Sequence, residues 1–209
     1  MTESTAELSR FIGVMARLRR ECPWDARQTH RSLVRYLVEE ACEVVDAIEA
    51  GDDTDLREEL GDLLLQVVFH ATIAAESDRF DLEDVARGIA DKLIERHPWV
   101  FGDAGVPDDL NATWEAGKKA AKGRDSAIDG IPESLSALTR AAKVFSRMRS
   151  HGVPVDIPHA DEPVEADEVG RQALALVARA QASGIDPEQA VRDALREFET
   201  GVRRAEQAN

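Results

Sequence analysis

Three observations predict an all-α fold. Apolar residues recur at three- and four-residue spacing in one segment after another, no segment sustains an alternation of period two, and no β-branched run is present. With 209 residues and 43% hydrophobic content, the chain has ample material for a core, and 32% charged residues mark it as globular.

The elements follow in order. Leu8, Phe11, Ile12, Met15 and Leu18 form one stripe, which predicts a first helix over 6–20. Glu21-Cys22-Pro23-Trp24-Asp25 breaks it, because a proline disfavours helix at the residue before it. A second helix, 31–50, has Leu33, Leu37, Ala41, Val44, Val45 and Ile48 as its apolar face, and Gly51 ends it as a C-terminal cap. Asp53 or Thr54 caps the third, which reaches Glu76; between Leu60 and Phe69 it is nearly all apolar, so burial on most sides is expected. Asp81 to Asp84 starts a fourth, with Val85, Ile89, Leu93 and Ile94 inward, stopped at His97-Pro98. A loop with Trp99, Phe101 and Gly102 leads to a shorter helix, 110–122, that carries Trp114, Lys118 and Lys119. The segment 123–132 reads as a linker. Helices are expected at 133–150, 167–183 and 187–206, with the Pro- and acid-rich 153–167 irregular.

Two acidic groups lie on the second and third helices. Glu39, Glu40 and Glu43 occupy one, Glu59 and Asp62 the other, and the short connection from Gly51 to Thr54 makes the helices antiparallel neighbours. Residues three and four apart share a helix face, so the two groups can converge. At about 4–5 Å and an effective dielectric of about 20, two carboxylates repel by roughly 3–4 kcal/mol, so a converging set calls for a cation. The donors are all oxygen, with no Cys or His pair at ligand spacing, which points to a hard ion: Mg²⁺ first, Mn²⁺ next. A solvated acidic face is the alternative for the first group; the apolar run around Glu59 and Asp62 argues against it for the second.

The net charge is −15, from 26 basic and 41 acidic residues. Such a surface repels a phosphate backbone, so no nucleic-acid polymer is expected as a partner. No apolar run approaches a membrane span, and Met1-Thr2-Glu3-Ser4 has neither a basic region nor a hydrophobic one, so no membrane association is expected. Two lone cysteines, Cys22 and Cys42, suit a reducing, cytoplasmic setting.

Several motifs together resemble the MazG family of nucleoside triphosphate pyrophosphohydrolases. They are Cys22-Pro23-Trp24-Asp25 with Gln28-Thr29, Glu39-Glu40-x-x-Glu43, Glu59-Leu60-Gly61-Asp62, Gln66-Val67-Val68-Phe69-His70, Arg79-Phe80-Asp81, and Asp91-Lys92-Leu93 with Arg96-His97-Pro98. The resemblance is close over 8–122 and loose beyond. It implies a four-helix-bundle-like domain, a homodimer or larger oligomer, and Mg²⁺-dependent hydrolysis of an NTP or dNTP to the monophosphate and pyrophosphate. The metal ligands it implies are Glu40, Glu43, Glu59 and Asp62, with Glu39 alongside. Adjacent to Glu40 but angularly offset from it, Glu39 is a candidate for holding or deprotonating the attacking water, with a surface glutamate as the alternative. Lys92 and Arg96, four apart on one face, are implied triphosphate contacts, with a salt-bridge lattice through Asp91 or Glu95 as the alternative. Lys118 is a weaker candidate for the same role. Trp24 and Trp114 are candidates for stacking on the base, or else core residues. His70 reads as a hydrogen-bonded helix residue rather than a ligand. A non-catalytic protein that binds metal and nucleotide for regulation or interaction is the competing class.

The organisation expected is a catalytic domain over 1–122, the linker 123–132, and a structural, degenerate helical repeat over 133–209. Leu18-Arg19 aligns with Met148-Arg149, and Glu59-Leu60-Gly61-Asp62 with Glu168-Val169-Gly170-Arg171. The second copy lacks the positions that would carry the E-E-x-x-E helix, and Arg171 stands where the last aspartate would be.

Overall fold

A computed structural model describes residues 4–107, 109–110, 113, 125–157 and 162–208. Among these residues every regular element is helical, as the periodicity predicts. The chain forms two compact units, Met1–Phe101 and Gly102–Asn209. No helix among the described residues is long and apolar enough to cross a membrane.

In the first unit, α1 (Ser4–Glu21) leads through a 3₁₀ turn (Asp25–Arg27) into α2 (His30–Ala50), α3 (Asp53–Ala75), α4 (Leu82–Arg96) and a short α5 (Pro98–Phe101). Local chemistry sets the boundaries. Thr29 and Ser32 form a reciprocal capping box at the start of α2, and Asp81 and Asp84 form another at the start of α4. Gly51 closes α2 at φ 73°, its N–H bonded to the carbonyls of Ala47 and Ile48. The cap of α3 is Asp52, one residue before the candidates read from the sequence; its carboxylate accepts from the N–H groups of Thr54 and Asp55. Where a loop was expected, α5 forms, because Pro98 at its first position has a helical φ already fixed.

Helix α3 is the hub, packed against α1, α2 and α4. The core gathers Met15, Leu33, Val68 and Phe69, with Phe11, Tyr36, Leu65, Ile73 and Leu82 around it. One expectation fails here. Leu60, Leu64 and Val67 on α3 are exposed, as are Leu37, Val45 and Ile48 on α2 and Val85, Ile89, Leu93 and Ile94 on α4. Periodicity identifies an apolar face but not what covers it, and no helix of this unit covers these.

In the second unit, α6 (Ala137–His151), α7 (Ala166–Ala182) and α8 (Pro187–Gln207) follow. Here α8 packs against both α6 and α7. The aligned repeat would make α7 the counterpart of α3, yet the hub is the last helix. Its core joins Val144, Met148, Leu195 and Val202 to Ile128 and Ile131, two residues from the segment read as a linker. Arg147 explains that docking: its buried guanidinium donates to the carbonyls of Ala127 and Asp129. Arg140, nearly buried with Glu199, donates to the carbonyls of Ile131 and Pro132.

Candidate metal and nucleotide site

The antiparallel α2–α3 pair brings the two acidic groups together. One carboxylate oxygen from each of Glu40, Glu43 and Glu59 lies within 4.8 Å of the other two. Glu40, Glu59 and Asp62 are half-buried and Glu43 is exposed. Burial and the charges of Asp62 and Glu43 raise the pKa of Glu40, and a hydrogen bond to Glu43 favours its protonated form further. Glu59 is raised as well, by desolvation and then by the charges of Glu43 and Asp62. Asp62 is not one of the three that converge, but its charge acts on both groups. Glu39 lies beside Glu40 on α2, exposed and outside the convergent set.

The donor set fits a hard divalent cation. Oxygens bound at about 2.0–2.6 Å from a common centre lie no more than roughly 5 Å apart, so these three need little rearrangement to share one ion. The raised pKa values of Glu40 and Glu59 agree: desolvation comes first, and the neighbouring carboxylates add to it.

The remaining described candidates lie on α4 and in the segment before α2. Lys92 is exposed and Arg96 half-buried on α4. Trp24 is 45% exposed, edge-on to Tyr36 with ring centroids 5.9 Å apart. Trp114 and Lys118 lie outside the described residues. His70 is hydrogen-bonded, as read: its Nδ1 lies 2.7 Å from Nδ1 of His30. Arg171 pairs with Asp167 and Glu168 on its own helix.

The sequence reading named Gln66 within a motif but gave it no role at the site. It is buried on α3, one turn beyond Asp62, and its Nε2 donates a long 3.4 Å hydrogen bond to Oε1 of Glu40. An amide inside an apolar run, in register with a carboxylate stripe, was the available signal.

Comparison with known proteins bears on the family of the chain. The MazG nucleotide pyrophosphohydrolase domain model matches residues 28–101, which contain α2, α3 and α4. An uncharacterised 26.1 kDa protein in the blaB 3′ region of Streptomyces cacaoi is 46% identical over 207 residues, covering 96% of this chain and 83% of that protein. A nucleoside triphosphate pyrophosphohydrolase of Escherichia coli is 46% identical over 154 residues, 70% of this chain but 59% of its own length. The nucleoside triphosphate pyrophosphohydrolase/pyrophosphatase of Thermotoga maritima is 36% identical over 218 residues, covering 95% of this chain and 85% of that one.

Proposed function

Because this chain belongs to the MazG family, we propose that it hydrolyses nucleoside or deoxynucleoside triphosphates to the monophosphate and pyrophosphate, as a housekeeping enzyme of the cytoplasmic nucleotide pool. The observation that carries this reading is the convergence of Glu40, Glu43 and Glu59 within 4.8 Å.

Glu40, Glu43, Glu59 and Asp62 would hold the ion, Mg²⁺ or Mn²⁺. The chemistry supplied there would be offset of the triphosphate charge and a lowered pKa of a water molecule. Lys92 and Arg96 hold the triphosphate, Arg96 by forked donors and Lys92 as a point charge. Lys118 assists them, and Trp24 and Trp114 stack on the base. Glu39 orients the attacking water and accepts its proton. The water oxygen bonds to the α-phosphorus, the bond from that phosphorus to the bridging oxygen breaks, and pyrophosphate leaves. Residues 133–209 are structural, and the active form is a homodimer. With a net charge of −15, nucleic-acid polymers are not substrates.

A panel of NTPs and dNTPs, turned over in ¹⁸O-water and analysed by mass spectrometry, tests the reaction. Label is expected in the monophosphate, with unlabelled pyrophosphate. Free orthophosphate with a nucleoside diphosphate means a different bond is cut. Binding of nucleotide and metal without turnover favours a regulatory protein.

A further inference from the structure

A line of polar side chains that the proposed reaction does not use runs toward Glu40. Arg79, just before α4, places a guanidinium nitrogen 2.6 Å from Nε2 of His30 at the start of α2. The other ring nitrogen of His30, Nδ1, lies 2.7 Å from Nδ1 of His70 on α3. The two rings are parallel within 3°, and their centroids, 5.1 Å apart, are almost twice as far apart as the bonded nitrogens. The rings therefore meet edge to edge, as a nitrogen-to-nitrogen hydrogen bond requires.

The donors and acceptors in this line can be assigned from chemistry. A guanidinium only donates, so Nε2 of His30 accepts and the proton of this neutral ring is on Nδ1. That proton is donated to Nδ1 of His70. A His70 that accepts at Nδ1 is neutral and keeps its proton on Nε2. Its burial agrees, since desolvation and then the neighbouring His30 lower its pKa.

Nε2 of His70 is buried with no hydrogen-bond partner, and so is Oε1 of Gln66, one turn earlier on the same face of α3. The first is a donor and the second an acceptor. Buried polar groups are rarely left unsatisfied, and one water held between them satisfies both. The Gln66 amide is oriented by Glu40: a carboxylate accepts, so the NH₂ group faces it and the carbonyl oxygen is turned away.

We propose that His30, His70 and Gln66 form a one-way hydrogen-bond relay, anchored by Arg79 and completed by a water between His70 and Gln66, that positions the Glu40 carboxylate for the divalent ion. Every donor in the relay is directed toward Glu40. His70 and Gln66 are positioning residues; neither touches substrate. The inference rests on the metal-site reading given above.

Two measurements on the full chain test it. Long-range ¹H–¹⁵N correlation spectra at neutral pH should show His30 protonated on Nδ1 and His70 on Nε2; His30 protonated on Nε2 instead overturns the relay. Mn²⁺ titration followed by electron paramagnetic resonance, without nucleotide, should show Gln66→Met and His70→Leu weakening Mn²⁺ binding by about 10- to 100-fold, the usual effect of losing an outer-shell partner. His70→Gln, whose amide puts a donor where Nε2–H was, should restore most of that loss. Parent-like Mn²⁺ affinity in both Gln66→Met and His70→Leu overturns the relay while the metal site stands. A parent protein that binds no Mn²⁺ overturns the metal-site reading, and the relay with it.

Discussion

Arg19 joins three segments of the first unit. Its side chain, 8% exposed, pairs with Glu76 just past the end of α3 at 2.6 Å. It also donates to the carbonyls of Asp25 and Gln28, and it lies 5.6 Å from the centroid of the Phe69 ring. The turn that leads into the acidic helix is thus tied to α1 and α3 by one cation. Arg19→Met should cost about 2 kcal/mol, the scale of a charged hydrogen bond lost from a half-buried network. The pH dependence follows from Glu76, whose pKa is lowered first by its hydrogen bond to Arg19. A depressed carboxylate stabilises the fold above its unfolded pKa, about 4.3, and that contribution is lost as pH falls through the lower folded value. The difference in Tm between parent and Arg19→Met should therefore be largest near neutrality and shrink below pH about 4; a constant difference would show that the ion pair contributes nothing. At the site, Glu43→Ala should reduce turnover by at least about 100-fold while leaving the metal-free Tm equal or higher, because removing one of several crowded charges relieves repulsion. Turnover in saturating nucleotide and a thermal melt in EDTA check the two halves of that statement, and full activity would remove Glu43 from the site.

At the scale of the element, the two ends of α2 have different chemistry. Its start is set by hydroxyl side chains, Thr29 and Ser32, and its end by the backbone of Gly51 in the left-handed region. An added Cβ at Gly51 meets nothing within 4 Å, so the cost of Gly51→Ala is purely conformational, about 1 kcal/mol. Gly13 is the opposite case: it lies inside α1 without a positive φ, and a Cβ there also meets open space. Gly13→Ala should stabilise by about 0.5–1 kcal/mol, from helix propensity and a less flexible unfolded chain. Urea melts of the two variants should move the midpoint in opposite directions. If both move the same way, the space around one of these glycines is filled by something absent from the single chain.

At the scale of the molecule, the exposed apolar faces decide the next question. Leu37, Val45 and Ile48 on α2 and Leu60 and Leu64 on α3 are each more than a third exposed, on the pair of helices that also holds the carboxylates. Large apolar side chains exposed in such number on two neighbouring helices point to an interaction face. The proposed homodimer would cover it, so light scattering over a dilution series should give twice 23.0 kDa. Ile48→Glu should shift the mass toward the monomer and lower activity with it; an active monomer at every concentration would show that the face needs no second copy. The second unit has its own core around Val144, Met148, Leu195 and Val202, and Arg171 is engaged by Asp167 and Glu168. Arg171→Ala should change turnover by less than a few fold.

The sequence by itself determined most of the helices, α5 excepted, because capping residues, glycine and the 3.6-residue period act over a few neighbours: Asp81 and Gly51 could be read without knowing what lies nearby in space. It also determined that α2 and α3 are antiparallel, since the short connection from Gly51 to Thr54 allows little else, so that their acidic groups could converge; that the three meeting oxygens belong to Glu40, Glu43 and Glu59, with Asp62 outside, was decided by the tertiary structure. Only the tertiary structure decided which apolar stripes are covered, that α8 rather than α7 is the hub of the second unit, and that Ile128 and Ile131 belong to a core. It alone brought His30 to His70 across 40 positions and Arg79 to His30 across 49. These contacts depend on how helices approach one another, and a hydrogen bond between distant side chains leaves no periodic trace in the chain that makes it.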